Sequence, residues 1–474
     1  MPELLTILLV LLELASIAAA VHAIFNARSS QGSTAWAISL VTFPFVAFPL
    51  YLVFGRRKFH GYVNARRAVD RQHEDLISQL RETGAPFLSE LPDQYGELRA
   101  LERLVQIPFV KGNCTRLLID GEETFGAIFE GIDQATRYLL VQFYIVHDDA
   151  LGRELKRRLI ERARAGVRVF FLYDEIGSNA LPRSYIDECR QAGIHMRSFH
   201  TTKGKRNRFQ INFRNHRKIV VVDGRVSFVG GLNVGDEYMG LDEKVGAWRD
   251  THLRVEGPAS TAVQLAFLED WHWASGEEPD GLEWEPRPCE GGDRDVLVLP
   301  GGPGDDLETC GLMFLHAINS ARRRIWIASP YYVPNSEVVA ALQLAALRGV
   351  DVRILLPLHP DNHLVHLASF SFIQRVGKTG VKFFRYREGF MHQKVVLIDE
   401  NAAAVGTANL DNRSFRLNFE IMMLVVNADF AAEVETMFLR DFERSDLADP
   451  NEIDQRNLIF QFGSRFARLL SPVL

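Results

Sequence analysis

The feature that most restricts what this chain can fold into is a repeat. His216-Arg-Lys218 is followed by the apolar run Ile219–Val222, then Asp223, then Gly230-Gly231-Leu-Asn233. His392-Gln-Lys394 is followed by Val395–Ile398, Asp399 and Gly406-Thr407-Ala-Asn409. The His, Lys, Asp and Asn of the two copies stand at one constant spacing of 176 residues. A period that long is a duplicated domain rather than a solenoid unit. Recurrence at four chemically different positions marks the motifs as functional.

The surrounding pattern repeats as well. Tyr138–Tyr144 reads as a strand, about 151–165 as a helix and Gly166–Tyr173 as a strand. The second half offers Arg324–Ala328, Glu337–Arg348 and Gly349–Leu356 in the same order. Apolar runs alternating with amphipathic helices predict an α/β sandwich lobe in each half, the two related by the duplication. Residues 281–305, rich in Gly, Pro and acids, read as the boundary between them. The expected division is a membrane segment over 1–60, a first lobe over 61–290 and a second over 291–474.

In an extended strand His-x-Lys puts both side chains on one face. Gly-x-x-Asn suits a tight turn that brings an amide close to a ligand. Lys218 and Lys394 supply positive charge, and Asn233 and Asn409 directional donors, a set suited to a phosphate whose charge grows in the transition state. One neutral imidazole can attack phosphorus while the other, protonated, serves the leaving alkoxide. His216 is taken as the nucleophile, though the motifs are nearly symmetric. Each ring needs a partner on its second nitrogen. Asp250 and Glu420, on apparent strands after each motif, are the candidates, with a surface carboxylate as the alternative. Asp223 and Asp399 complete the catalytic set, with backbone and Lys positioning expected of them rather than proton exchange. The motifs hold no carboxylate cluster, so no metal or other cofactor is expected.

Leu4–Phe25 and Ala35–Phe54 are each close to the roughly 20 residues that cross a bilayer core. A short polar link with Gly32 predicts a transmembrane helical hairpin, with helices at about 4–25 and 35–54. A signal peptide fits poorly, because Met1-Pro2-Glu3 lacks a basic start. Arg56, Arg57, Lys58, Arg66 and Arg67 follow the second segment, against Arg28 alone in the link. That bias places the catalytic part, and with it the N-terminus, in the cytoplasm of a multi-pass inner-membrane protein. Glu13 is expected to face the partner helix or to be protonated. The four cysteines show no zinc spacing and read as reduced residues of a cytoplasmic protein, with a single bridge left open.

The duplicated His-x-Lys-x4-Asp-x6-Gly-x-x-Asn pattern resembles the HKD signature of the phospholipase D superfamily. Gly231 departs from the Ser often found there. Within that superfamily the chain is similar to bacterial cardiolipin synthases through Trp36…Pro44…Tyr51–Gly55, Tyr331–Glu337, Arg348–Ile354, Gly406–Glu420 and Leu469–Leu474. The resemblance covers nearly the whole chain, and it implies two pseudo-symmetric phospholipase D-like α/β sandwich lobes with the two motifs side by side, and the site, at their interface. It implies a transferase that joins two phosphatidylglycerol molecules into cardiolipin and glycerol through a phosphatidyl-histidine intermediate, at a lipid bilayer. A water-using phospholipase D is the alternative. A superfamily nuclease fits less well with a net charge of −6 and two membrane segments, and a non-enzymatic scaffold fits poorly with two intact motifs. Lys203 to Lys218 carries seven basic residues and no acid. Lys203, Lys205, Arg206 and Arg208 are therefore candidates for holding anionic headgroups, a solvated loop being the bland reading. Leu458–Leu470 has the apolar spacing of a helix face and is expected to dock on the body rather than on the membrane.

Overall fold

The computed structural model describes residues 2–27, 29–55, 59, 62–63, 82–91, 93–200, 212–243 and 246–474. Lys203, Lys205, Arg206 and Arg208 lie outside the described residues, as do Arg28, Arg56, Arg57, Lys58, Arg66 and Arg67.

The anchor is built of α1 (Pro2–Asn26), α2 (Ser30–Thr42) and α3 (Pro44–Phe54). Only α1, among the described residues, is long and apolar enough to cross a membrane, with a mean hydropathy of 2.6. The single second span expected over 35–54 is broken at Phe43. Pro44 has no N–H to continue the ladder, and its ring clashes with the turn before it. The two pieces fold back on each other. The Trp36 ring of α2 lies 5.1 Å from the Tyr51 ring of α3. The Tyr51 hydroxyl meets His22 Nδ1 at 2.7 Å, close to the end of α1. Ala19, Ala20 and Ala23 of α1 pack with Leu40, Ala47 and Tyr51. The chain thus enters as α2, reverses, and leaves as α3 on the side where α1 ended. Glu13 sits on the exposed face of α1, not against α2 or α3.

The body is one mixed sheet flanked by helices, and its strand order shows the duplication. In the first half the order is 110–119, 251–256, 226–230, 219–222, 138–143, 168–174, 195–199. In the second it is 294–301, 418–426, 402–406, 395–398, 324–328, 351–357, 382–386, with the short strand Ser445–Leu447 added at the edge. The halves join where Val110–Ile119 pairs antiparallel with Arg294–Gly301. The Gly/Pro-rich stretch predicted as a link therefore ends in a strand at the middle of the joined sheet. The motif strands Ile219–Val222 and Val395–Ile398 are buried along their whole length, as strands covered on both faces are.

Two expectations are corrected here. Cys114 and Cys289 form a disulfide with Cα atoms 5.8 Å apart, while Cys189 and Cys310 are free and buried. The 175 residues between the paired cysteines hid the contact; the Cys289 N–H donates to Gly112 O at 2.9 Å and lays the loop beside the strand of Cys114. The helix Leu458–Leu469 does not dock through its large apolar residues. Its buried residues are Ser464 and Ala467, and Leu458, Ile459, Phe462, Phe466 and Leu469 are exposed.

Candidate active site

Each motif is hung on the opposite half of the chain. The short strand Arg214–Asn215, just before the first motif, runs parallel to Asn418–Phe419 of the second half. Phe390–Met391, just before the second motif, runs parallel to Trp248–Arg249 of the first. The His216 N–H donates to Phe419 O at 2.9 Å and the His392 N–H to Arg249 O at 2.8 Å. The residue after each acceptor is a carboxylate. Glu420 Oε2 lies 2.9 Å from His216 Nδ1, and Asp250 Oδ2 lies 2.7 Å from His392 Nδ1. Asp250 and Glu420 thus sit where ring-orienting groups must sit, each crossing to the histidine of the other lobe.

Both carboxylates are fully buried and well supplied with donors. Ser414 Oγ donates to Glu420 at 2.8 Å and Asn418 Nδ2 at 3.1 Å. The Thr251 N–H donates to Asp250 at 2.8 Å and Trp248 Nε1 at 3.3 Å. A carboxylate on Nδ1 keeps that proton in place and leaves Nε2 for chemistry. The Tyr144 ring flanks His216 at 5.1 Å and the Trp248 ring flanks His392 at 5.2 Å. A Cβ on Gly231 would fall inside the Asp250 carboxylate. The departure from Ser at that position therefore has a steric cause, while Thr407 fits beside the longer Glu420.

Burial sets the charges. It pulls His216 down to about 4 and His392 down to about 3, against the pull of their carboxylates. Both rings are neutral near pH 7. Burial also takes Lys218 down to about 7 and Lys394 to about 8, with Glu420 and Asp250 opposing. For Glu420 burial works upward, but His216 and Lys218 bring it below the usual range. Lys218 Nζ donates to its own motif's His216 O at 2.7 Å, and Lys394 Nζ donates likewise to His392 O.

Asp223 and Asp399, counted in the catalytic set, lie elsewhere. Each ends its motif strand, about 16 Å from the Lys at the rise of an extended chain. Asp223 accepts from the N–H groups of Thr136, Arg137 and Tyr138, and Asp399 from those of Arg322, Arg323 and Arg324. Both adopt positive φ, 51° and 50°. They hold the start of a neighbouring strand and touch no reacting group. Asn233 is buried and largely engaged in the fold, accepting from Ile145 N at 3.0 Å and donating to the Tyr238 hydroxyl at 3.1 Å. Asn409 is buried too, its side-chain oxygen without a hydrogen-bond partner.

Several residues beside the site were given no positioning role from sequence, Arg217 being counted only as part of the basic stretch Lys203–Lys218. Arg217, between His216 and Lys218, is buried and paired with Asp270 at 3.1 Å; Arg249 is paired with Asp441 at 2.9 Å. Tyr62, Gln142 and Asn215 also donate to Asp270. Arg413, next to Ser414, is mostly buried close to Tyr144 and Arg214, and burial lowers its pKa. The short stretch after Asn409 carried the only sign, being dense in polar residues beside an apolar strand. Among the described residues, His147, Asp149 and Glu237 could together face a cation. Asp149 already caps a helix through Gly152 N and accepts from Asp236 N, and His147 pairs with Glu237 at 3.2 Å.

A family model described as "Cardiolipin synthase, PLD-like domain" matches twice, over residues 128–260 and 314–442. Each match contains one of the two motifs. The chain belongs to the cardiolipin synthase family of phospholipase D-like proteins. A second model, "Phospholipase_D-nuclease N-terminal", matches residues 14–56 across the anchor. Cardiolipin synthase A of Pseudomonas putida (strain W619) is 48% identical over 98% of this chain and 97% of its own length. Cardiolipin synthase A of Pseudomonas syringae pv. syringae is 48% identical over 96% of this chain and 95% of its own. Among solved structures, phosphatidylserine synthase of Haemophilus influenzae superposes with a TM-score of 0.63 at 14% identity. It covers 80% of this chain and all of its own, which supports the fold. The chain is membrane-associated, and its two-lobed body is the phospholipase D-like α/β fold.

Proposed function

We propose that the chain transfers a phosphatidyl group between two phosphatidylglycerol molecules, forming cardiolipin and glycerol. The observation that carries this is the reciprocal pairing of His216 with Glu420 and His392 with Asp250, with the Lys218 and Lys394 side chains close beside them. Nε2 of one neutral ring attacks phosphorus, and the P–O bond to the glycerol headgroup breaks. The departing alkoxide takes a proton from the other ring. That ring gains its proton once the anionic phosphodiester lies beside it, because a nearby negative charge favours imidazolium. Lys218 and Lys394 offset the charge that grows on the phosphoryl oxygens, and Asn233 and Asn409 are proposed as further donors. The headgroup hydroxyl of the second lipid then gives its proton to the neutral ring and attacks phosphorus. The P–N bond breaks, and both rings return to their first state. Every bond broken is replaced by one of the same kind, so the exchange needs no nucleotide to drive it.

Purified protein given labelled phosphatidylglycerol, without metal or nucleotide, is expected to yield cardiolipin and glycerol. Phosphatidic acid as the sole product would establish hydrolysis instead. His216→Ala and His392→Ala are each expected to cut turnover to a small residual rate.

The basic stretch after Arg56 supports a body that faces the cytoplasm. The return of α3 to the end of α1 supports one crossing, with the N-terminus on the far side. A second reading places the body on the oxidising face, and the Cys114–Cys289 bridge favours it, since such bridges persist outside the reducing cytosol. Lys203, Lys205, Arg206 and Arg208 are proposed to gather anionic lipid beside the site. Neutralising them should weaken turnover on vesicles more than on detergent-dispersed lipid.

A further inference from the structure

The C-terminal helix Leu458–Leu469 packs on the body with its small side. Ser464 and Ala467 are buried against the helix His363–Gly377, and Ser464 Oγ meets Ser371 Oγ at 2.8 Å. The Phe460 ring rests on Phe370 at 5.1 Å. The large side is bare: Leu458 is 80% exposed, Ile459 85%, Phe462 72%, Phe466 54% and Leu469 69%. At helical pitch these five share an arc of roughly 100°. A contiguous apolar ridge of this kind marks an interaction surface, not a solvated one.

We propose that this face is a membrane contact, with the helix lying in the interface plane of an anionic bilayer. The ridge enters the acyl boundary, and Arg465 and Arg468 at its flank reach lipid phosphates. Two observations select lipid over a protein partner. The first is charge. Residues 457–474 contain Arg465 and Arg468 and no acid, which suits an anionic surface. The second is continuity with the anchor. The turn Ser471–Val473 that follows the helix lies by the short helix Asn412–Arg416, and the Arg413 N–H donates to Leu474 O at 3.1 Å. Phe415 and Arg416 of that short helix line a cavity of about 810 Å³ that Ala15, Ala18 and His22 of α1 and Phe48 of α3 also line. One short helix therefore shares a cavity with the anchor and touches the C-terminus. The body is held to the bilayer at two places, whichever acceptor the reaction uses.

The test uses the full chain carrying Phe462→Cys, reconstituted in vesicles of phosphatidylglycerol and phosphatidylcholine. Cys189 and Cys310 are buried and Cys114 and Cys289 are bridged, so a polarity-sensitive dye attaches to the new thiol. Nitroxide on the lipid acyl chains should quench the dye, and aqueous iodide should not. In parallel, Phe462→Ser with Phe466→Ser should lower turnover on vesicles several-fold and keep the parent rate in detergent micelles. A dye open to iodide and untouched by nitroxide would overturn the proposal. So would a dye shielded from both, with chains crosslinking through residue 462, since a second copy would then cover the face. A loss of the detergent rate would mean a packing defect in that variant, and the dye measurement then decides alone.

Discussion

Glu420 holds His216 across the interface between the two halves, Oε2 to Nδ1 at 2.9 Å. Asp250 returns the contact by holding His392 at 2.7 Å. Neither half can assemble a complete histidine–carboxylate pair alone. A duplicated chain that had separated into two independent lobes would lose both.

This crossing predicts a pattern of non-additivity. Asp250→Asn should lower turnover by roughly 10²-fold, the scale of a mispositioned acid–base group. Added to His392→Ala, it should cost nothing further, because it acts through that ring. Glu420→Gln should behave in the same way with His216→Ala. Rates of the single and double variants in one detergent system check this, and full additivity within either pair would contradict the crossed arrangement.

Stability should fall with acid. His216 and His392 titrate at about 4 and about 3 in the fold, against 6.5 for a free ring. Between those values the unfolded chain takes up protons that the folded one refuses, so stability rises with pH in this window. Glu420 and Asp250, both held low, act in the same direction. The unfolding temperature should therefore drop steadily as pH falls from about 6.5 towards 4, and His216→Asn should flatten the slope.

Asp399→Ala should damage folding rather than chemistry. It strips a shared acceptor from the N–H groups of Arg322, Arg323 and Arg324. Each unsatisfied donor costs about 1–3 kcal/mol if it is shut from water, and less where solvent reaches it. A lower unfolding temperature with unchanged activity per folded molecule is expected, and the pH–rate profile should keep its shape.

The anchor predicts that epitopes at the N-terminus and the C-terminus are digested from opposite faces of sealed membranes. Thiol labelling in the same preparation identifies which face the body occupies. A bridged Cys114–Cys289 pair in freshly quenched cells marks the oxidising side, and free thiols mark the cytosol. Reducing the bridge releases a 175-residue loop, a chain-entropy effect of up to about 5 kcal/mol, so a reductant should lower the unfolding temperature measurably.

What the amino-acid order determined by itself was the duplication, the alternation of strand and helix, and the residues with phosphate chemistry. Those are properties of local pattern, since period-two burial and a repeated His-x-Lys need no knowledge of distant contacts. The tertiary structure alone decided the contacts between distant segments. Asp250 and Glu420 were visible as carboxylates on strands, but not that each serves the other lobe's ring, because the short strands at Arg214 and Phe390 pair across the interface. The role of Asp399 depended on three N–H groups some 75 residues earlier in the chain. The reversal at Phe43 and the bridge from Cys114 to Cys289 likewise join segments that no periodicity connects. The helix Leu458–Leu469 is the plainest case. Its amphipathic spacing was legible, but which side meets the body depended on Ser371, where only small side chains let two helices approach.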